Sequence, residues 1–344
     1  MDPTPMANLE HESILLAHGG GGSLTRLLIE GTFVKTFSNR ILNELGDSAV
    51  IESPGRQLAF TTDSYVVKPL FFKGGDIGKL AVCGTVNDLA MAGARPLYIS
   101  LSLIIEEGFL VKRLHAIMDS IKVAASEANV IVVTGDTKVV ERGAADELFI
   151  NTSGIGALSD GISLGAKQVR VGDTILLNGS LAEHGISVLS QRGEYGFEAN
   201  IASDVAPLAG MVQSILAVAP NIHFMRDLTR GGLAAALNEL AVSAGIAIEV
   251  DEQSIPIRKE VLAACNMLGL DPLHVANEGK CIVVCAEDCD EKVLEAMRRH
   301  EYGKDAVRIG RIIEHKKSIV IGRTPIGGKR IIDMPSGRLL PRIC

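Results

Sequence analysis

"GTVNDLAMAGA", residues 84–94, reads as a helix of small and apolar residues that carries a single acid, Asp88. A carboxylate projected from an apolar element is expensive unless it is paired or bound to a cation. Three other stretches repeat the pattern. "LAFTTDSYVV" (58–67) sets Asp63 beyond an apolar strand, and "VIVVTGDTKVV" (130–140) does the same for Asp136. "FMRDLTRGGLAAAL" (224–237) puts Asp227 before a Gly-Gly pair and another helix. Any one of these acids would serve as well in a helix cap or a turn. Four in one chain point to a shared magnesium–nucleotide site, because Mg²⁺ is a hard ion that takes a few carboxylates plus phosphate oxygens and water.

Around these stretches the chain alternates strand and helix patterns. Residues 1–45 read as an arm: a polar start, "SILLA", four glycines, then a helix-like stretch from Ser23 to about Phe37. From "DSAVIESPGRQLAFTTD" onward a first domain runs over 46–157. Its clearest helix carries Leu110, Leu114, Ile117, Ile121 and Ala124 on one face. The Gly-rich polar segment "LSDGISLGAKQVRVGD" reads as the boundary. A second domain spans 168–333, and residues 334–344 form a mobile tail ending in Cys344. Both halves mix helix and strand, so the fold class is α+β with two layered domains. No short-period repeat is present, which excludes a solenoid.

The 344 residues exceed one ordinary core. With 47% apolar and 22% charged residues the composition is that of a globular protein. The net charge of −7, without a basic cluster, argues against nucleic acid or an anionic membrane surface. No apolar run approaches the roughly 18 residues of a membrane span. The acidic start "MDPTPMANLEHE" lacks the basic opening of a signal peptide. A cytoplasmic protein with six reduced cysteines is the expectation.

Three cysteines, Cys281, Cys285 and Cys289, lie in "KCIVVCAEDC" at a C-x3-C-x3-C spacing that matches no C-x2-C zinc pair. "CIVVCA" reads as a buried strand, where small buried cysteines are common. "HGGGG" (His18–Gly22) runs into Ser23 and a helix, so backbone N–H groups there could converge on an anion. No Lys-Ser/Thr follows it, so it is not a P-loop, and a plain turn is an equal reading.

Taken together, "TTDSYVVKP", "VNDLAMAGARP", "GDTKVV", "MRDLTRGG" and "ANEGK" resemble the PurM-like ATP-binding superfamily. That group includes aminoimidazole ribonucleotide synthetase, selenophosphate synthetase and thiamine-monophosphate kinase. With the terminal "PRIC" (341–344) the resemblance narrows to the HypE family of carbamoyl dehydratases, which act in [NiFe]-hydrogenase maturation. It extends from the glycine run to Cys344. The internal motifs are shared across the superfamily, and the terminal cysteine is specific to HypE.

The resemblance implies two α+β domains, the first forming a β-barrel across a homodimer. It implies ATP in the cleft, with Mg²⁺ held by Asp63, Asp88, Asp136 and Asp227, and with Gly19, Gly20, Gly21, Gly22 and Lys138 near the phosphates. The carbamoyltransferase HypF would place a carboxamide on the Cys344 sulfur. ATP-dependent dehydration would convert it to a thiocyanate, and a HypC–HypD complex would receive the cyanide on iron. Glu278 and Lys138 are expected as a proton-removing pair, because the nitrogen must lose two protons. An ion pair, or a solvated turn holding Glu278 and Lys280, is the plainer reading of the same residues.

Three alternatives stay open at this point. Selenophosphate synthetases carry a reactive Cys or selenocysteine near the glycine run, and "ESILLAHGGGGSL" has none. Aminoimidazole ribonucleotide synthetases give no reason for a terminal cysteine. A non-catalytic carrier would not need the acidic set.

Overall fold

The computed structural model describes residues 13–15, 18, 27–44, 57–193, 200–219 and 221–334. The first domain is a four-stranded sheet backed on one face by two helices. Its strands are β1 (Leu58–Tyr65), β4 (Arg95–Glu106), β5 (Ile131–Val140) and β6 (Leu148–Ala157), in the order β1-β6-β4-β5. A small ribbon of β2 (Phe71–Phe72) and β3 (Gly75–Asp76) leads into the first helix. The helices are α1 (Ile77–Met91) and α2 (Val111–Glu127).

Asp76 starts α1, its carboxylate accepting from the N–H groups of Gly78 at 2.7 Å and Lys79 at 3.1 Å. Such a cap is worth about 1 kcal/mol. α1 is apolar all round, as a helix buried on every side must be. It packs on the sheet, on α2 and on the second domain. The face expected on α2 is the one that is buried: Leu114, Ile117, Ile121 and Ala124. Leu110 caps that helix and is part-exposed.

The second domain is a seven-stranded sheet of order β13-β12-β9-β11-β7-β10-β8. Its strands are β7 (Thr174–Leu177), β8 (Ile222–Asp227), β9 (Ala247–Asp251), β10 (Cys281–Cys285), β11 (Val307–Ile313), β12 (Val320–Arg323) and β13 (Lys329–Ile331). Among the described residues five α-helices accompany it: α3 (Glu183–Arg192), α4 (Ala209–Val218), α5 (Gly232–Ala244), α6 (Lys259–Leu268) and α7 (Asp290–Arg299).

"CIVVC" forms β10, the strand next to the β8 edge of this sheet, and is buried on both faces. Cys281, Val283 and Cys285 join the core that α1 shares between the domains. Ile282 and Val284 join a separate core with residues of α5 and α6. A strand covered on both sides has no polar positions, which accounts for the unbroken apolar run and for thiols at strand positions. Cys289 is also buried, in the short turn before α7.

Two local readings are corrected. Asp63 and Asp136 were expected beyond their strands, yet both lie inside them, in β1 and β5. β5 is also the edge of its sheet, so only Val132 and Val133 in its first half are well buried.

Candidate active site

Three acids meet where α1, β1 and the end of β8 converge. Asp63 and Thr61 alternate onto the α1 side of β1, and Thr61 Oγ1 donates to Asp88 Oδ2 at 2.9 Å. Asp227 closes β8, in register with Cys281 of the neighbouring β10. Glu278 stands just ahead of β10 and is buried at 4% exposure. Asp63, Asp88, Asp227 and Glu278 line one cavity of about 80 Å³ together with Tyr65, Thr229 and Arg230. A whole small-molecule site usually takes about 300 Å³ or more, so this pocket is sized for ions and the end of a phosphate chain.

The backbone behind the cavity is fixed by close fits. Gly231 and Gly232 both have positive φ, at 80° and 60°, and a Cβ on Gly232 would stand 2.6 Å from the carbonyls of Leu273 and Val275. Only glycine turns there from Asp227 into α5. Asn277 donates to the Leu228 carbonyl at 2.9 Å and accepts from Ala182 N–H at 2.7 Å. It thereby ties the residue after Asp227 to the residue before Glu278.

Electrostatically the cavity is short of positive charge. Burial, reinforced by Asp88, pushes the Asp227 carboxyl up to about 7. Burial and the neighbouring Asp63 raise Asp88, against the pull of its Thr61 bond. Glu278 is raised well above the usual carboxylate range by burial and then by Asp227 and Asp204. Tyr65, buried with its hydroxyl 3.5 Å from Thr85 Oγ1, is likewise held neutral by burial and Asp63.

A raised carboxyl keeps its proton in the folded protein after the unfolded chain has lost it. Its stabilising effect is therefore full below the ordinary carboxylate range and is lost as pH climbs to about 7. Asn at position 227 has no proton to lose. Ligand-free Asp227→Asn protein should therefore melt a few degrees above wild type at pH 8 and level with it near pH 4, checked by thermal scans. Equal melting at pH 8 would contradict this electrostatic picture.

Not all the expected residues meet. Register aligns Asp63, Thr152, Leu101 and Gly135 across the four strands. Asp136 is one residue further on, so it points to the opposite face, about 14 Å across the sheet from β1. It shares that face with Lys138, from which it lies 3.5 Å, and both side chains are more than 60% exposed. Within one chain neither can reach the cavity, and the expected Glu278–Lys138 pair does not form. Glu278 is not a solvated turn residue either. The glycines Gly19–Gly22 and the tail to Cys344 lie outside the described residues.

Several residues at or beside this site went unremarked in the sequence. Tyr65 sits inside the quoted "TTDSYVV", and Asn87 precedes Asp88. Asn87 Nδ2 donates to the carbonyls of Ala206 at 3.0 Å and Glu278 at 3.3 Å, while Oδ1 accepts from Leu208 N–H at 2.7 Å. One buried amide thus joins the helix of Asp88 to the loop of Glu278. Among the described residues no three metal-ligating side chains converge tightly enough to hold an ion by themselves.

Comparison with known proteins places this geometry. Residues 45–158 match the N-terminal domain of AIR synthase related proteins and residues 170–323 match their C-terminal domain. The chain is 49% identical over 337 residues to carbamoyl dehydratase HypE of Azotobacter vinelandii, covering 98% of this chain and 99% of that protein. It superimposes on a crystal structure of the hydrogenase maturation protein HypE in complex with ATP with a TM-score of 0.92, at 44% identity, covering 96% of this chain and 99% of the other. A crystal structure of a HypE–HypF complex matches with a TM-score of 0.79 at 46% identity, over 90% of this chain and 99% of the matched chain. Among the described residues no helix is long and apolar enough to cross a membrane. With its two AIR synthase related domains and near-complete identity coverage, the chain belongs to the HypE family of carbamoyl dehydratases that serve hydrogenase maturation.

Proposed function

We propose that this chain dehydrates a carboxamide carried on its own Cys344 sulfur to a thiocyanate, with ATP as the driving reagent. The observation that carries the reading is the convergence of Asp63, Asp88, Asp227 and Glu278 on one small cavity at the domain boundary. An amide oxygen is a poor leaving group. Transfer of the γ-phosphoryl group to it makes departure feasible, and the oxygen leaves in inorganic phosphate while the nitrogen gives up two protons. The products are the S-cyanated chain, ADP and phosphate.

Asp63, Asp88 and Asp227 would hold Mg²⁺, and the excess negative charge of their cavity fits a cation. Bound there, Mg²⁺ would neutralise triphosphate charge and ease the repulsion on Glu278. Gly19–Gly22 would cradle phosphate oxygens through their N–H groups. Glu278 would take protons from the nitrogen. ATP as the nucleotide is supported by the solved HypE complex, and HypF as the carbamoyl donor by the solved HypE–HypF complex. The HypC–HypD complex would accept the cyanide, and the setting would be the cytoplasm.

Asp136 and Lys138 enter through a homodimer. The outer face of the first sheet exposes Phe60 at 68% and Ile104 at 43% among polar side chains. A second copy covering it would remove that apolar area from water and could close the two sheets into a barrel. Any pairing of Lys138 with Glu278 would then be made between subunits, and Asp136 would complete the metal site in the same way. Light scattering at micromolar concentration should give twice the chain mass, and Phe60→Glu should shift it toward one. A wild-type monomer would end the dimer reading.

The function itself is tested by intact mass. Incubation with a HypF carbamoyltransferase, carbamoyl phosphate and Mg–ATP should first add one carbamoyl group and then remove one water. A chain that never gains the group, or gains it and never loses water, would overturn the proposal.

A further inference from the structure

Beside the Glu278 loop a short strap, residues 203–206, runs at the domain boundary. Asp204 within it has a side chain only 1% exposed, yet it does not line the acidic cavity. Its Oδ1 accepts from the N–H of Glu278 at 3.1 Å. Its Oδ2 is buried without a hydrogen bond, 3.8 Å from Lys280 Nζ. Lys280 stands in turn 4.0 Å from Glu183, whose other oxygen meets Arg258 at 2.5 Å.

The strap is itself anchored. Ser203 N–H donates to the Lys73 carbonyl at 2.7 Å, and Ser203 Oγ lies 2.7 Å from His184 Nδ1. Against it lies Gly279, where any Cβ would collide with the Asp204 carbonyl oxygen. The backbone beside Glu278 is therefore pressed onto the strap on one side and held by Asn87 through the Glu278 carbonyl on the other.

A buried carboxylate with one oxygen unpartnered is a poor choice for stability, because its desolvation is only partly offset by Lys280. What it supplies is a charge-assisted bond to one peptide N–H, about twice as strong as a neutral one. That peptide is the one whose side chain enters the cavity. We propose that Asp204 is a positioning residue for Glu278, fixing the Glu278 peptide through its N–H so that the carboxyl is delivered to the acidic cavity. The inference rests on the reading of Glu278 as the proton acceptor.

The test is single-turnover dehydration of carbamoylated holoprotein, followed by mass, with the affinity for Mg–ATP measured alongside by calorimetry. Asp204→Ala removes the acceptor, and Asp204→Asn keeps an oxygen acceptor while removing the charge. Asp204→Ala should slow water loss about ten- to a hundredfold, the cost of a misplacement near 1 Å, with nucleotide affinity unchanged. Asp204→Asn should recover most of the rate.

Wild-type speed in the alanine variant, or equal loss in both variants, would overturn the proposal. Should Asp204→Ala melt below the assay temperature, Asp204→Ser, whose hydroxyl ends short of the Glu278 N–H, takes its place with the same expected loss. Glu278→Gln in the same assay separates the two readings. If it dehydrates normally, the proton-acceptor role fails. If it stalls while Asp204→Ala does not, only the positioning role fails.

Discussion

Cys344→Ala protein should bind Mg–ATP as tightly as wild type and yield no carbamoylated chain and no thiocyanate. The reason lies in where the other five thiols are. Cys83, Cys265, Cys281, Cys285 and Cys289 are all buried in the folded protein. Burial pushes Cys265 up to about 11 and Cys281 up to about 12, and raises Cys83, Cys285 and Cys289 as well. A thiol attacks as thiolate, so inaccessible groups with raised values are inert at neutral pH.

Cys344 stands ten residues beyond Met334 in the sequence. Eleven residues from Met334 could span roughly 35 Å when extended, enough to bring a terminal sulfur to a cleft. Loss of product is expected to be complete, because no second thiol can substitute. Intact-mass and peptide mapping decide the matter: a carbamoyl group found on any other cysteine, or product from the alanine variant, removes Cys344 from its role.

Glu278→Gln should take the carbamoyl group on Cys344, bind ATP, and then stall, with water loss slowed about 10²- to 10⁴-fold, the usual range for removing a proton-transfer group. Gln keeps the shape and offers hydrogen bonds but accepts no proton on its nitrogen. Misfolding does not confound this variant. Glu278 is buried and raised by Asp227, Asp204, Asp63 and Asp88, so a neutral amide relieves repulsion and should hold or raise the melting temperature. Accumulation of the carbamoylated species at unchanged melting temperature is the expected result. Dehydration at the wild-type rate would show that the proton goes elsewhere.

Local physics made part of this molecule readable in one dimension. An acid in an apolar setting costs free energy wherever the chain folds, so Asp63, Asp88 and Asp227 were legible from their neighbours alone, and the structure brings these three to one cavity. "CIVVC" was legible as a strand for the same reason. A run buried on both faces needs apolar letters at every position.

Asp136 shows where such reading stops. Its flanking letters resemble those of Asp63, but strand order and register belong to the sheet, and a shift of one residue changes the face. Asn87 and Asp204 were invisible for a related reason. Their partners lie up to 191 residues away, in Asn87's bond to the Glu278 carbonyl, and no local pattern encodes a hydrogen bond across a domain boundary. Chemical necessity chose the residue types along the chain. The packing of α1 between two sheets decided which of them share a site.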